Sequence, residues 1–384
     1  MIEAKLTPKA LRRLEAGGVW FWPSDLERPD TLPAEHGVLL LLEPRGKAAA
    51  SALYDAKSPA PIRVYQRGRR EFGEELALER WRTAIRWRRS VVEESTTNGF
   101  RVLHSEGDFA PGLIVDRFGT HLAITIGMRP WVDHLPALIR EAPAEWNLRT
   151  CMAEIQGETL EVLSGAPELM PYKVNGLSLY ARSSGGQKTG AFLDQRENYL
   201  ALLKWMNALT CREYGLDLYS SNGGFARHMA SAIGHVEAVE RGQAAIELLE
   251  KGLREDSVSN VKAVRSDVQE FIQGKAQARR SYDVVVVDPP AFAKSRRERE
   301  TALRQYAAIN GKALRLVRCG GLFVTCSCSH HISSADLLAV MREVAAQNEK
   351  TLQILEKRSQ GADHPILLQV PETEYLKCFY FRVI

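Results

Sequence analysis

The sequence predicts an α/β protein whose C-terminal half contains a doubly wound parallel sheet, preceded by a small β-barrel and a small α+β unit. From about residue 168, strand-like apolar runs alternate with helix-length segments, which is the pattern of parallel β-α-β units. Before about residue 72, short strand-like runs are separated by glycine and proline turns, as in small barrels. At 384 residues the chain is also too long for one ordinary core.

The composition is that of a soluble globular protein, with 45% hydrophobic and 26% charged residues. The N-terminal stretch lacks the apolar core of a signal peptide, and the longest apolar runs are too short to cross a bilayer. Six cysteines scattered along the chain do not resemble a disulfide framework. We therefore expect a cytoplasmic protein with reduced thiols and no membrane contact.

The first 72 residues predict the barrel through four strand-like runs, "GGVWFWPSD", "HGVLLLLEP", "AAASALYD" and "APIRVYQRG". Residues 73–170 begin with an arginine-rich stretch and continue with a helix near residues 131–141 and with strands, among them "FRVLHSE", "GLIVDRFG" and "HLAITIGM". This mixture of helices and strands predicts the α+β unit.

The arginine-rich stretch predicts an amphipathic helix over residues 74–92. Two tryptophans, Trp81 and Trp87, are interleaved there with basic residues. The arginines in and just before the helix are Arg63, Arg67, Arg69, Arg70, Arg80, Arg82, Arg86, Arg88 and Arg89. Guanidinium groups bind phosphates and indoles stack on bases, so a nucleic-acid surface is one interpretation. A solvated basic helix face is the other.

The C-terminal sheet is predicted from five strand-like runs, "EYGLDLYS", "HVEAVER", "VKAVRSD", "YDVVVVDPP" and "GLFVTCSCS". Helical spacing of apolar residues lies between them, for example over residues 241–254 and 297–317. The last two runs, "LQILEKRS" and "YLKCFYFRVI", predict a terminal hairpin with one antiparallel strand. In such sheets ligands bind beyond the carboxyl ends of the strands.

Acidic residues and glycines at consecutive strand ends predict an adenosine site. Gly223 and Gly224 let the backbone approach a ligand at a helix N-terminus, although a tight turn needs glycine in any case. With Asp217 before them, Glu240 is placed to bind a ribose diol and Asp267 to read an adenine amino group. Each acid alone could instead cap the next helix. The spacing is not G-x-G-x-x-G and a P-loop lysine is absent from the sequence, so S-adenosylmethionine fits better than NAD or ATP.

The fourth strand ends in Asp288, Pro289 and Pro290, with Phe292 two residues further on. The two prolines fix a rigid, extended turn. Beside a cofactor site, such a turn predicts a shelf for a flat nucleobase, with Phe292 available for stacking. The alternative is a stiff connector that binds nothing.

Four chemically active side chains, Cys326, Cys328, His330 and His331, stand together at the end of the fifth strand. Their spacing does not match a zinc site and a second cysteine pair is not nearby in sequence, so we expect no metal. Inert packing is a second interpretation. The third is a catalytic thiol that acts as a nucleophile.

Five segments of the chain resemble, in this order, a family of bacterial S-adenosylmethionine-dependent 23S ribosomal RNA cytosine-5 methyltransferases. The segments are "SSGGQKTGAFLDQREN", "DLYSSNGGFA", "VVVVDPPAFAKS", "TCSCSHH" and "DHPILLQVPETEYLKCFYFRVI". The resemblance implies a PUA-like RNA-binding domain over residues 1–72, a central α+β domain over 73–170 and a Rossmann-like class I methyltransferase domain over 171–384. It implies S-adenosylmethionine as cofactor and 23S ribosomal RNA as partner, with a homodimer left open.

The resemblance also assigns the cofactor residues. The loop that encloses the methionine end of the cofactor is matched by Lys188, Thr189, Phe192, Asp194 and Arg196. The turn after the first strand adds Tyr219, Ser220 and Phe225 to the acids and glycines named above.

Related methyltransferases carry their nucleophile in a Ser-Cys pair at the end of the fifth strand, which here matches Ser327 and Cys328. The resemblance therefore implies that Cys328 is the nucleophile and that Cys326 is a spare thiol or core filler. Asp288 is predicted to orient the cytosine amino edge, since carboxylates accept from that group. The proton acceptor stays open among Asp288, Asp363 and Glu372.

Three other functions remain as alternatives. A guanine or adenine nitrogen methyltransferase also uses an acidic-Pro-Pro-aromatic shelf but needs no cysteine. A non-catalytic RNA-binding assembly factor would not need the whole set of cofactor residues. An NAD-linked oxidoreductase is disfavoured by the glycine spacing.

Overall fold

The computed structural model describes residues 1–155, 158–163, 168–182, 191–293 and 295–384, with residues 158–163 described by their backbone alone. The chain divides into two compact units. The N-terminal unit comprises Met1–Met170 and Ala362–Thr373, and the C-terminal unit comprises Pro171–Gly361 and Glu374–Ile384.

The N-terminal unit begins with a five-stranded sheet in the order β1-β3-β4-β5-β2. Its elements are β1 (Ile2–Lys5), α1 (Pro8–Glu15), β2 (Trp20–Phe21), β3 (His36–Leu42), β4 (Ala48–Asp55) and β5 (Ile62–Arg67). The four predicted runs each contain one of these strands, whereas β1 and α1 were not predicted. Helix α1 begins at Pro8 because the Thr7 side chain caps its first turn, accepting from the Ala10 N–H at 3.2 Å.

A helix and a second five-stranded sheet follow, with the strand order β10-β9-β8-β7-β6. The elements are α2 (Glu74–Val91), β6 (Gly99–His104), β7 (Leu113–Phe118), β8 (His121–Ile126), α3 (Leu135–Arg140), β9 (Thr150–Ile155) and β10 (Glu158–Leu163). Strands β8 and β9 are parallel and the other pairs are antiparallel. Helix α2 has the predicted extent to within one residue.

Some of the aromatic and basic residues of α2 lie in the protein core, which neither interpretation of the sequence predicted. Trp81 is buried in the core, and Arg88 is fully buried, where it binds both carboxylate oxygens of Asp108 at 2.6 Å. A guanidinium buried in a bidentate pair is unavailable to RNA and is not part of a solvated face. Five further arginines form ion pairs: Arg63 with Glu106, Arg70 and Arg80 with Glu79, Arg82 with Glu141 and Arg89 with Glu145.

In the C-terminal unit, a hairpin precedes a seven-stranded sheet in the order β15-β14-β13-β16-β17-β19-β18. The hairpin is β11 (Leu169–Val174) and β12 (Leu177–Arg182). The sheet strands are β13 (Tyr214–Leu218), β14 (His235–Glu240), β15 (Val261–Arg265), β16 (Tyr282–Val287), β17 (Val317–Ser327), β18 (Leu352–Arg358) and β19 (Lys377–Val383). The helices are α4 (Arg196–Met206), α5 (Gly224–Met229), α6 (Gln243–Glu255), α7 (Val268–Gln277), α8 (Arg299–Leu314) and α9 (Ser334–Gln347).

The first five strands of this sheet are parallel, and β19 runs antiparallel to both of its neighbours. Every residue of β16 is buried, which explains its uninterrupted apolar sequence, because a central parallel strand is covered on both faces. Strand β13 lies between β14 and β16, so the connections leave it in opposite directions. Ligands bind at such a switch point.

The segment Ala362–Thr373 joins β18 to β19 but packs within the N-terminal unit. There the Trp87 indole N–H donates to the carbonyl of Ala362 at 3.0 Å, and the Arg101 N–H donates to the Asp363 carboxylate at 3.0 Å. The Arg88 guanidinium also donates to the Asp363 carbonyl at 2.7 Å. Asp363 is fully buried and holds this segment against β6. The hairpin sequence did not predict this excursion.

In the part of the chain that the structure describes, no helix is both long enough and apolar enough to span a bilayer. The same residues contain no group of three or more His, Cys, Asp or Glu side chains arranged to hold a metal ion.

Candidate active site

The turn after β13 is built around Asp217 and two glycines. The Asp217 carboxylate accepts from the Ala226 N–H at 2.8 Å and so ties the strand to the first turn of α5. A Cβ on Gly223 would lie 2.2 Å from Leu249 Cδ1, and one on Gly224 would lie 2.2 Å from the Tyr199 hydroxyl. Gly223 also has φ +85°. Both positions therefore require glycine because protein atoms already fill the space that a side chain would need.

A narrow cavity opens at this turn. It is lined by Phe192, Tyr199, Asp217, Tyr219, Ser220, Ser221, Asn222, Gly224, Phe225 and Asp288. Two buried polar atoms that face this region, Oδ1 of Asp217 and Oγ of Ser220, have no hydrogen-bond partner among the described residues. Tyr219 and Ser221 have φ values of +64° and +49°, a backbone conformation that is concentrated at functional sites. Unsatisfied buried polar groups on a strained turn indicate a ligand site.

The cavity is acidic. Burial raises the pKa of Asp217 well above its usual range, and the nearby charges of Asp288 and Glu240 raise it further, while the hydrogen bond from Ala226 opposes them. Converging carboxylates repel a phosphate and favour a ligand with positive charge. Such a cavity favours the positive sulfonium and ammonium groups of S-adenosylmethionine over the negative pyrophosphate of NAD.

Glu240, at the end of β14, organises the turns on either side of it. One carboxylate oxygen accepts from the Ser221 N–H at 3.2 Å and the other from the Gly242 N–H at 2.7 Å. A carboxylate oxygen has a second lone pair, so both oxygens can still accept from a ribose diol. Its predicted role as the ribose acceptor is compatible with these bonds.

Asp267 acts as the N-cap of α7. Its Oδ1 accepts from the backbone N–H groups of Gln269 at 2.8 Å and Glu270 at 3.3 Å. This is the capping alternative considered for the strand-end acids. The capping bonds use Oδ1 alone, so the predicted contact of Asp267 with adenine would have to use Oδ2.

The residues predicted for the methionine end of the cofactor are not all at the cavity. Phe192 lines it, whereas Asp194 and Arg196 are buried and are not among the lining residues. The Asp194 carboxylate accepts from the Tyr375 hydroxyl at 2.8 Å. Lys188 and Thr189 lie outside the described residues.

The predicted nucleobase shelf follows β16. The Asp288 carboxylate accepts from the Gln195 side-chain amide at 3.0 Å. Pro289 is buried and Pro290 is exposed. The Phe292 ring packs on Tyr306, with 4.8 Å between ring centroids. Asp288 is thus held in one orientation at the same edge of the sheet as the cavity.

Sequence reasoning missed two residues that shape this edge, Gln195 and Tyr199. Gln195 orients Asp288, and the Tyr199 ring forms a wall of the cavity and packs edge-on against Phe225 at 4.8 Å. Both lie in or next to the segment "FLDQRENY". Their neighbours Asp194 and Arg196 were predicted as site residues, whereas the sequence has no pattern that marks a glutamine or a tyrosine here as functional.

The two cysteines of β17 differ in environment. Cys326 is fully buried and lies opposite Cys378 of β19, and burial raises the pKa of its thiol well above the usual range. Cys328 is one residue beyond the end of β17 and is only partly buried. A buried thiol with a raised pKa is a poor nucleophile, so Cys328 is the better placed of the two.

The fold and the strand-end site together define a class of protein: the C-terminal unit has the fold of S-adenosylmethionine-dependent methyltransferases. Residues 199–356 match the family described as conserved hypothetical protein 95, and residues 4–67 match the PUA-like domain. The predicted fold class is confirmed.

Particular relatives extend over the whole chain. The sequence is 27% identical over 400 residues to Ribosomal RNA large subunit methyltransferase I of Citrobacter koseri, covering 100% of this chain and 99% of that protein. Two solved structures cover 100% of both chains: SMU.776, assigned as a methyltransferase and solved with S-adenosylhomocysteine, has a TM-score of 0.84 at 17% identity. A methyltransferase assigned as S-adenosylmethionine-dependent in Streptococcus mutans has a TM-score of 0.83 at 18% identity.

Proposed function

We propose that this protein transfers a methyl group from S-adenosylmethionine to carbon 5 of a cytidine in 23S ribosomal RNA, through a covalent adduct with Cys328. The observation that carries the proposal is a partly accessible thiol at the same sheet edge as the acidic cavity. Strands β16 and β17 are paired neighbours with Val287 opposite Thr325. Asp288 and Cys328 therefore follow adjacent strand ends.

The proposed cofactor site combines the cavity with Glu240. The unsatisfied oxygens of Asp217 and Ser220 would accept hydrogen bonds from the ligand, and Glu240 would accept from its ribose. When bound, S-adenosylmethionine supplies an electrophilic methyl group for carbon 5. The acidity of the cavity stabilises the positive charge of that ligand.

In the proposed reaction, the Cys328 thiolate adds to carbon 6 of the cytosine, and the electron pair of the 5,6 double bond becomes available at carbon 5. Asp288, held by Gln195, accepts from the exocyclic amino group and orients the ring. After carbon 5 is methylated, its proton leaves to a base, the double bond re-forms and the carbon–sulfur bond breaks. This last step returns Cys328 as a thiolate.

The ribosomal substrate is supported by two observations. Proteins named as large-subunit ribosomal RNA methyltransferases match this chain along its full length, and residues 4–67 match a PUA-like domain. The proposal includes the prediction that residues 1–72 bind RNA.

The proposal is tested by incubating the protein with S-adenosylmethionine and 23S ribosomal RNA from cells that lack the gene, followed by mass spectrometry of the nucleosides. We expect 5-methylcytidine and no other new methylated nucleoside. Methylguanosine or methyladenosine would instead establish the nitrogen methyltransferase alternative. Absence of any methylation on naked RNA and on ribosomal particles would favour the non-catalytic assembly factor.

An RNA contact in the N-terminal unit is proposed at a cavity of about 670 Å³ that is lined in part by Arg67, Arg80 and Phe109. The Phe109 side chain is 51% exposed and its φ is +57°, so the strained turn presents an aromatic ring to solvent. The Arg80 guanidinium lies 5.6 Å from the centre of that ring. An exposed ring beside arginines is suited to stacking a base of single-stranded RNA.

We therefore expect Phe109→Ala to weaken RNA binding by about 1–3 kcal/mol, the usual value of one stacked base, while binding of S-adenosylhomocysteine is unchanged. Filter binding and calorimetry measure the two affinities. Ile354→Ala is the control, because Ile354 is 47% exposed but lies in β18. Wild-type RNA affinity should fall steeply with salt. Equal RNA affinity of Phe109→Ala and the control would remove this contact.

A further inference from the structure

Lys377 is a buried lysine beside the proposed nucleophile. It lies opposite Ser327 in the β17–β19 register and is only 4% exposed. Its Nζ donates to the carbonyl of Ser329 at 2.7 Å and to that of Tyr375 at 2.8 Å. Cys328 lies between Ser327, which pairs with Lys377, and Ser329, whose carbonyl accepts from the Lys377 ammonium. The lysine side chain therefore fixes the carbonyl of the residue that follows the thiol.

We propose that Lys377 is a positioning residue that holds the Cys328 loop in place and stabilises the Cys328 thiolate with its ammonium charge. This inference rests on the proposed function, in which Cys328 is the nucleophile. An ammonium has three N–H groups, and the two carbonyls account for two of them. A lysine that served only as a core residue would not need to be charged, and a buried charge is retained only where it is paired or hydrogen-bonded.

The charges around Lys377 favour this pairing. Burial lowers the pKa of Lys377 to about 8, and the largest opposing contribution comes from Cys328, followed by Glu374 and Asp336. Glu374 is exposed, and Asp336 already forms an ion pair with Arg299 at 2.5 Å. The thiolate is thus the principal anion that the ammonium faces.

The other titratable groups near the thiol are Tyr306, His330 and Asp288, whose carboxylate follows the end of the adjacent strand and opposes ionisation of the thiol. The Tyr306 hydroxyl accepts from Ser327 at 2.8 Å and lies 3.0 Å from the Ser329 hydroxyl. Burial raises the pKa of Tyr306 to about 12, so it is neutral at pH 7. His330 is exposed and packs on the Tyr375 ring with centroids 5.4 Å apart. Lys377 is therefore the buried cation available to the thiolate.

The sign of the effect follows from this geometry. Below a pH of about 8 the ammonium is present and favours the charged form of Cys328, which lowers the pKa of the thiol. Above that pH the lysine loses its proton and the stabilisation disappears. Cys319 is exposed but lies near the ammonium of Lys350, so the free thiol N-acetylcysteine serves as the reference.

The test measures alkylation of the full-length protein by iodoacetamide as a function of pH, with Cys328 resolved by fragment ions in mass spectrometry and N-acetylcysteine measured in parallel. In the wild type we expect the apparent pKa of Cys328 to lie at least about one unit below that of N-acetylcysteine. In Lys377→Met, alkylation of Cys328 at pH 7 should fall about tenfold, the equivalent of one pKa unit. Lys377→Arg should restore part of the reactivity, because it keeps the charge.

Lys357→Met is the matched control, since Lys357 is an exposed lysine of the adjacent strand β18 and its loss should leave Cys328 unchanged. Equal apparent pKa values for Cys328 and N-acetylcysteine in the wild type would overturn the inference, even if Lys377→Met fails to fold. Unchanged reactivity in a folded Lys377→Met would overturn it as well. Alkylation does not require methyl transfer, so absence of 5-methylcytidine would overturn the proposed function and leave the effect of Lys377 on the thiol standing.

Discussion

RNA that carries 5-fluorocytidine at the target position is expected to form a stable covalent adduct with the wild-type protein and none with Cys328→Ala. Fluorine replaces the proton that must leave carbon 5, so the carbon–sulfur bond cannot break after methylation. Methylation of ordinary RNA by Cys328→Ala should fall on the order of 10³-fold or more, because removal of a nucleophile disables the whole covalent route. Denaturing gel electrophoresis shows the adduct, and nucleoside mass spectrometry measures the methylation.

Cys326→Ala is the matched control for this experiment. Cys326 is fully buried opposite Cys378, so its replacement should cost about 1 kcal/mol of stability through lost packing and leave the adduct intact. Cofactor binding should survive in both variants, because neither cysteine lines the cavity. An adduct that requires Cys326 instead of Cys328 would move the nucleophile to the other thiol. Full activity in both single variants and in the double variant would exclude covalent catalysis.

Glu240→Ala is expected to weaken binding of S-adenosylhomocysteine by roughly 10- to 150-fold, which corresponds to 1.5–3 kcal/mol for hydrogen bonds to a charged group. The wild type should bind S-adenosylhomocysteine and not NAD, since the carboxylates of Glu240 and Asp288 repel a pyrophosphate. Isothermal titration calorimetry measures both ligands.

Two further variants separate ligand contact from support of the turn. Glu240→Gln keeps one oxygen for the backbone N–H groups of Ser221 and Gly242, so it should bind more tightly than Glu240→Ala and less tightly than the wild type. Glu247→Ala removes an exposed glutamate of the neighbouring helix α6 and should bind as the wild type does. Unchanged affinity in Glu240→Ala would remove the ribose assignment, and tight NAD binding would contradict the acidic cavity as a methyl-donor site.

Much of the C-terminal fold could be predicted from the sequence because its signals are local. The run "VVVVDPP" is apolar throughout since β16 is covered on both faces, and the two prolines end it by removing backbone donors. Alternation of such runs with helical spacing predicts parallel pairing without knowledge of any contact. The ends of the strands can then be predicted, and they place Asp217, Glu240 and Asp288 at the same edge of the sheet.

The environment of individual side chains was decided by residues far away in sequence. Arg88 looked like a surface cation, but its partners are Asp108 and the carbonyl of Asp363, which is 275 positions away. Lys377 belongs to a run predicted as an ordinary strand, and its burial depends on the loop after β17 that supplies its acceptor. The sequence pattern predicts which face of an element is apolar, but it does not predict which distant residue will hydrogen-bond to a polar side chain of that element.

The sequence by itself determined the order of the elements, the parallel sheet and the presence of a thiol beside an acidic turn, because these depend on residues within a few positions of each other. Tertiary structure alone decided that Cys326 is enclosed and Cys328 is accessible, and that residues 362–373 leave the hairpin to pack in the N-terminal unit. Strand alternation gives two cysteines two positions apart the same side of a sheet. Their difference arises because β17 ends at Ser327, between the two thiols, and Cys378 of β19 covers only the first.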